Sequence, residues 1–267
     1  MKAIPLLLVL TLCVVGSLQA DELKETDIPA ELNAKASQDS GEFDLNYIRG
    51  RQKALEGKLS EALPLLEKAV ASAPDNALVN YRLCEVYMRL GQLEKAEASG
   101  KKAVEKDPTN IEYRMTLGGI YAALKQLPES RSQYEKILEV EPGNSEVPLL
   151  LSILEAEGGA NDKAISILTK AVDGTNDHFR ALFYRAKIYL EMGEIEKAKG
   201  DLDKCLTIRP NFVEAGTALG IIQEKTGEID AAIETYARIQ GNGEFKKRLA
   251  QLYLNKNENE KALQALI

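Results

Sequence analysis

Residues 77–110, ALVNYRLCEVYMRLGQLEKAEASGKKAVEKDPTN, and residues 111–144, IEYRMTLGGIYAALKQLPESRSQYEKILEVEPGN, are two versions of one 34-residue pattern. Leu83 aligns with Leu117, Cys84 with Gly118, Tyr87 with Tyr121, Ala96 with Ser130 and Pro108 with Pro142. In the first stretch Leu83, Val86, Tyr87 and Leu90 follow a helical period, Gly91 interrupts it, and Leu93, Ala96 and Ala103 begin a second stripe that stops before Pro108. Each unit therefore reads as a helix, a turn and a helix.

The interval extends along the chain. Pro74, Pro108, Pro142 and Pro210 stand 34, 34 and 68 residues apart, with Asn176 in the missing slot. Ala62, Ala96, Ala164, Ala198 and Ala232 keep the same interval with Ser130 between them, as do Gly57, Gly91, Gly159, Gly193 and Gly227 with Lys125. A repeat that recurs in three residue classes defines an array of supersecondary units. The small residues Gly50, Cys84, Gly118, Ser152, Ala186, Gly220 and Ala250 are expected on the first helix, opposite the alanines of the second, where two backbones come closest. Proline before the next unit stops the second helix.

On these residues the chain resembles the tetratricopeptide repeat family, whose pattern has Leu, a small residue and Tyr on the first helix, then Ala, a large apolar residue, Ala and Pro. The resemblance runs over residues 43–267, although the family's Trp near the start of each unit is absent. It implies an all-α, right-handed solenoid with units near 43–76, 77–110, 111–144, 145–178, 179–212 and 213–242 and a partial unit at 243–267. The fourth unit departs furthest, with Glu155 where others carry Tyr and Asn176 in place of Pro, yet Ala164, Leu168 and Ala171 are expected to let it form.

Residues 1–20 have the layout of an export signal: Lys2, an uncharged apolar stretch through Leu18, and Ala20 before Asp21 and Glu22. An uncleaved anchor and acylation at Cys13 are the competing readings; Pro5 weakens the first and Leu12 immediately before Cys13 the second. Membrane contact is expected only through this leader, if it is retained. Residues 21–42 are polar and read as a spacer. With no Asn-x-Ser/Thr sequon in the chain, a bacterial periplasm or secretion is the expected address.

Composition narrows the function. Against 34 Lys and Arg stand 41 Asp and Glu, a net charge of −7 that opposes nucleic-acid binding. One histidine, His178, and two cysteines outside the leader, Cys84 and Cys205, provide no ligand spacing for a metal, and no phosphate-binding or nucleophile motif occurs. No cofactor and no catalysis are expected. The expected partner is a protein or peptide segment.

In proteins of this family the concave face, lined by the first helices, is the usual binding surface. The second residue of each unit and those three, seven and ten further on fall on that face. They include Tyr47, Arg51, Tyr81, Glu85, Met88, Met115, Leu149, Arg180, Phe183 and Lys187. The column Tyr47, Tyr81, Met115, Leu149, Phe183 is apolar in five successive units and reads as an exposed interaction stripe, with Arg51, Arg180 and Lys187 aligning acidic groups of the partner. The alternative is that its aliphatic members only pack between first helices. On the first reading Tyr81→Asp and Phe183→Asp are expected to weaken binding and spare the fold. Two further readings are the recognition part of a longer enzyme whose catalytic domain lies beyond residue 267, and a structural protomer that self-associates through its C-terminal edge.

Overall fold

The computed structural model describes residues 41–174, 178–239 and 243–266, with side chains from Leu45 onward; the expected leader and nearly all of the expected spacer lie outside these residues. Gly41 and Glu42, expected at the end of the spacer, instead open the first helix. The described residues contain 14 helices and no strand, an all-α helical-repeat solenoid. They fall into two compact units that divide between Val147 and Pro148.

Unit 1 holds three helix pairs: α1 (Gly41–Leu55) with α2 (Leu59–Ser72), α3 (Ala77–Arg89) with α4 (Leu93–Lys106), and α5 (Ile111–Ala123) with α6 (Leu127–Val140). Unit 2 contains α7 (Val147–Glu157, which begins one residue before the boundary), α8 (Asn161–Gly174), α9 (Phe179–Glu191), α10 (Ile195–Ile208), α11 (Val213–Lys225), α12 (Ile229–Arg238), α13 (Gly243–Asn255) and α14 (Asn259–Leu266). Both helices of the divergent fourth repeat form, and Ala164 and Leu168 are fully buried.

Local chemistry explains the helix starts. Asn76 Oδ1 accepts from the backbone N–H of Val79 at 3.2 Å, Asn110 Oδ1 from Tyr113 at 3.1 Å, and Asn144 Oδ1 from Val147 at 3.0 Å. These three asparagines, themselves 34 residues apart, cap the first helices of the next repeats and satisfy backbone donors that the helix cannot.

The turns inside the pairs are equally regular. Gly91 N–H donates to Met88 O and Gln92 N–H to Tyr87 O, a closure that places residue 91 in the left-handed region at φ 72°. Lys125 occupies the equivalent place with φ 62° and the same two hydrogen bonds from residues 125 and 126. A side chain in this region costs about 1–2 kcal/mol relative to its usual backbone. Lys125→Gly is therefore expected to raise stability by roughly 1 kcal/mol, read as an upward shift of the urea midpoint at constant slope.

Small residues do what the spacing predicts. A Cβ on Gly118 would stand 2.5 Å from Tyr134 Cε1, and one on Gly220 would stand 2.3 Å from Tyr236 Cζ. Both rings are buried, so neither has room to withdraw. At the alanine slot of the third repeat, Ser130 Oγ donates to the Gly118 carbonyl at 2.7 Å, which lets a hydroxyl sit at the helix contact without an unmet bond. The core of unit 1 gathers Ala62, Leu66, Leu83, Cys84, Val86 and Ala96, and that of unit 2 gathers Ala198, Leu202, Leu206, Leu219, Ala232 and Tyr236. Cys84 and Cys205 are free and fully buried in these cores, and burial pushes each thiol pKa up to about 12.

Where the family's Trp would stand, two repeats of unit 1 place polar side chains. Asn80 Nδ2 donates to the carbonyls of Pro74 and Asn76, and Arg114 Nε donates to the carbonyl of Pro108 at 2.7 Å. Both side chains are buried and tie down the turn that brings in their own helix.

Candidate functional site: the first-helix faces

In unit 1 the helices α1, α3 and α5 carry Tyr47, Arg51, Tyr81, Glu85, Met88 and Met115. Tyr47, Arg51, Met88 and Met115 are partly buried and keep a face toward solvent. Tyr81 and Glu85 do not, being only 3% and 8% exposed. This corrects the expectation of an exposed Tyr81, and the reason is a network that spacing alone did not show.

The Tyr81 hydroxyl donates to Glu112 Oε1 at 3.0 Å and lies 3.2 Å from Thr116 Oγ1, while its ring stacks at 4.5 Å on Tyr113. Arg82 places its guanidinium carbon 5.4 Å from the Tyr81 ring and donates from Nη1 to Glu85 Oε2 at 2.8 Å. Burial pushes the Glu85 carboxyl pKa up, and Arg82 pulls against that shift. Burial likewise drives the Tyr81 hydroxyl upward, reinforced by the nearby Glu85 charge, so Tyr81 remains a neutral donor. Arg82, Tyr113 and Thr116 escaped the sequence reading, although Thr116 stands one repeat plus one residue beyond Tyr81. Of the expected face of unit 1, Tyr47, Arg51, Met88 and Met115 are the members that remain partly accessible.

In unit 2 the expected members separate as well. Leu149, 9% exposed, belongs to a core with Ala164, Leu168, Ala181 and Ile188, the packing role that the alternative reading gave to aliphatic members. Arg180 is exposed, while Phe183 and Lys187 are partly buried on α9. The Phe183 ring lies 5.1 Å from Phe212 and 6.0 Å from Tyr184, and the Lys187 ammonium stands 5.4 Å above Tyr184.

Unit 2 also holds a largely buried ion pair. Arg185 Nε and Nη2 donate to the two carboxylate oxygens of Asp201 at 2.7 and 2.8 Å, and Nη1 donates to Thr169 Oγ1 at 2.8 Å. The Asp201 carboxylate raises the pKa of the Arg185 guanidinium. Arg185 occupies the slot that holds Leu83, Leu117 and Leu219 in other repeats, a departure visible in the sequence once the register is known.

His178 stands at the start of α9. Among the described residues no group of three or more His, Cys, Asp or Glu could hold a metal ion, and no helix is long and apolar enough to cross a membrane.

Helix pairs on a 34-residue interval, with small residues at their contacts, define a helical-repeat protein. Family models described as tetratricopeptide repeat match residues 54–99 and 179–212. The chain is similar to human DnaJ homolog subfamily C member 3, 29% identical over 38% of this chain and 21% of that protein. It is also similar to the tetratricopeptide repeat and J domain-containing co-chaperone DNJ1 of Fusarium oxysporum, 31% identical over 29% of this chain and 15% of that protein. The matched regions thus span about a fifth of these relatives' length or less. A crystal structure of a tetratricopeptide repeat protein from Parabacteroides merdae shares the fold with a TM-score of 0.60 at 22% identity, covering 93% of this chain and 99% of that one. The chain is a tetratricopeptide-repeat protein, and proteins built of these repeats generally bind other proteins.

Proposed function

We propose that this protein is a non-catalytic interaction scaffold of a bacterial cell envelope, which binds partner segments along its first-helix faces during assembly of an envelope complex. One observation carries the binding part. The small-residue faces of the helices are consumed by packing, whereas Tyr47, Arg51, Met88 and Met115 in unit 1, and Arg180, Phe183 and Lys187 in unit 2, keep solvent-facing surface at the same repeat positions. Partly buried aromatic side chains offer contact area at small entropic cost, and the flexible Met side chains adapt to the shape of a partner. The co-chaperone name of the Fusarium relative accords with work on other proteins. The envelope location rests on the apolar leader and the small residue at Ala20.

The test pairs capture with a surface variant. The full chain and an Arg51→Glu, Met115→Lys variant are each used to capture proteins from an envelope extract. A partner held by the wild type and weakened roughly tenfold in a variant of unchanged circular dichroism is the expected result. Equal capture by both would overturn binding along the first-helix faces of unit 1. Intact mass of the exported form is expected to correspond to a chain beginning at Asp21; recovery of the uncleaved chain in the cytosolic fraction would end the envelope reading.

A further inference from the structure

We infer that the start of α9 and the turn between α10 and α11 in unit 2 form a recognition site for an acidic protein segment that carries a large apolar side chain. This deepens the groove reading and rests on it. Phe179, Phe183 and Phe212 make one aromatic cluster, with Phe212 edge-on to both partners at 5.2 and 5.1 Å. All three rings are only partly buried.

Cations converge on them. The guanidinium carbons of Arg180 and Arg209 lie 5.9 and 4.8 Å from the centroid of the same Phe179 ring, and the Lys187 ammonium lies 6.0 Å from that of Phe183. Among the described residues none of these three cations has a carboxylate within 4.0 Å. Glu214, on the first turn of α11, is exposed and pairs with none of them. Elsewhere in unit 2 Arg185 pairs with Asp201, Lys199 with Glu228 and Arg248 with Glu224, while exposed lysines such as Lys204 and Lys225 are unpaired but lie over no ring among the described residues. In a chain of net charge −7, three unpaired cations on three neighbouring rings are a local reversal of sign.

Two guanidinium groups drawn to one ring repel each other, and the ring quadrupole offsets only part of that repulsion. A carboxylate placed at Phe179 would be met by forked donors from Arg180 and Arg209, while an adjacent apolar side chain would cover the exposed parts of Phe183 and Phe212. Lys187 would then meet a second acidic group further along the segment. Rings and cations together would also suit a single nucleic-acid strand. The acidic surplus of the whole chain opposes a polyanion far more than a peptide with a few carboxylates, so the peptide is the occupant the charges favour.

The experiment is fluorescence anisotropy on the full chain with three labelled probes: a short peptide of Glu and Asp around a central Phe, its Gln and Asn counterpart, and oligouridylate. The acidic peptide is expected to bind, and to weaken roughly tenfold when Arg180→Ser and Arg209→Ser are combined; the neutral peptide is expected to bind roughly tenfold more weakly than the acidic one. Both arginines are exposed, so circular dichroism should not change. Failure of the acidic peptide to bind the wild type, equal binding to the arginine variant, or tighter binding of oligouridylate would each overturn the inference. Equal binding of acidic and neutral peptides would overturn acid recognition while leaving the groove reading intact. The groove reading fails by a different result, unchanged capture by the Arg51→Glu, Met115→Lys variant.

Discussion

Replacing Asp201 by Ala is expected to destabilise the protein by about 3–5 kcal/mol, because it strands a guanidinium that the fold has taken out of water. The Asp201 and Arg185 side chains are 6% and 12% exposed, and both carboxylate oxygens accept from the one arginine. Without Asp201, Arg185 keeps only the Thr169 hydroxyl. The pair itself need not be stabilising relative to an apolar pair of the same shape, since desolvation of two ions offsets much of their attraction. Adding Arg185→Leu to Asp201→Ala should therefore recover most of the loss and return the slot to the Leu found in neighbouring repeats. Urea unfolding of the two single variants and the double variant measures this directly. A single Asp201→Ala variant within about 1 kcal/mol of wild type would mean that solvent already screens the pair.

Tyr81→Asp is expected to be at least as damaging, about 4 kcal/mol or more, and to act on the fold before it acts on any partner. The substitution removes a buried ring stacked on Tyr113 and sets a carboxylate beside Glu85 and Glu112, two acids already held in the same network. Tyr81→Phe separates the terms: it keeps the ring, gives up the bonds to Glu112 and Thr116, and should cost about 1–2 kcal/mol. A cooperative, wild-type-like melt for Tyr81→Asp would restore the view of Tyr81 as a surface anchor. Met115 and Arg51, which retain exposed surface, are the positions at which binding can be probed without this penalty.

The legible part of the candidate site follows from where its information resides. The repeat positions assigned Phe183, Lys187 and Arg180 to the first-helix face, and these residues lie on α9 around the aromatic cluster. Arg209 and Phe212 join them only because the turn between α10 and α11 folds back over Phe179. Phe212 stands one repeat after His178 and two after Asn144, where the sequence pattern marked only a turn. Likewise Arg82 and Glu85 could be paired from their spacing of three, but the bond from Tyr81 to Glu112 joins residues 31 apart on two different helices.

By itself the sequence determined the helix pairs, their turns and their contacts, because each depends on a residue type at a fixed offset: Asn caps, left-handed turn residues such as Gly91, and small residues such as Gly118 where no Cβ fits. It also determined the acidic charge of the chain and the set of side chains available on the first-helix faces. Only the tertiary structure decided which of those side chains remain accessible. Periodicity places Tyr47, Tyr81, Met115, Leu149 and Phe183 in equivalent directions, but exposure depends on the particular neighbours in the adjoining repeat. Tyr81 and Leu149 are covered by such neighbours, whereas the other three keep part of their surface in water.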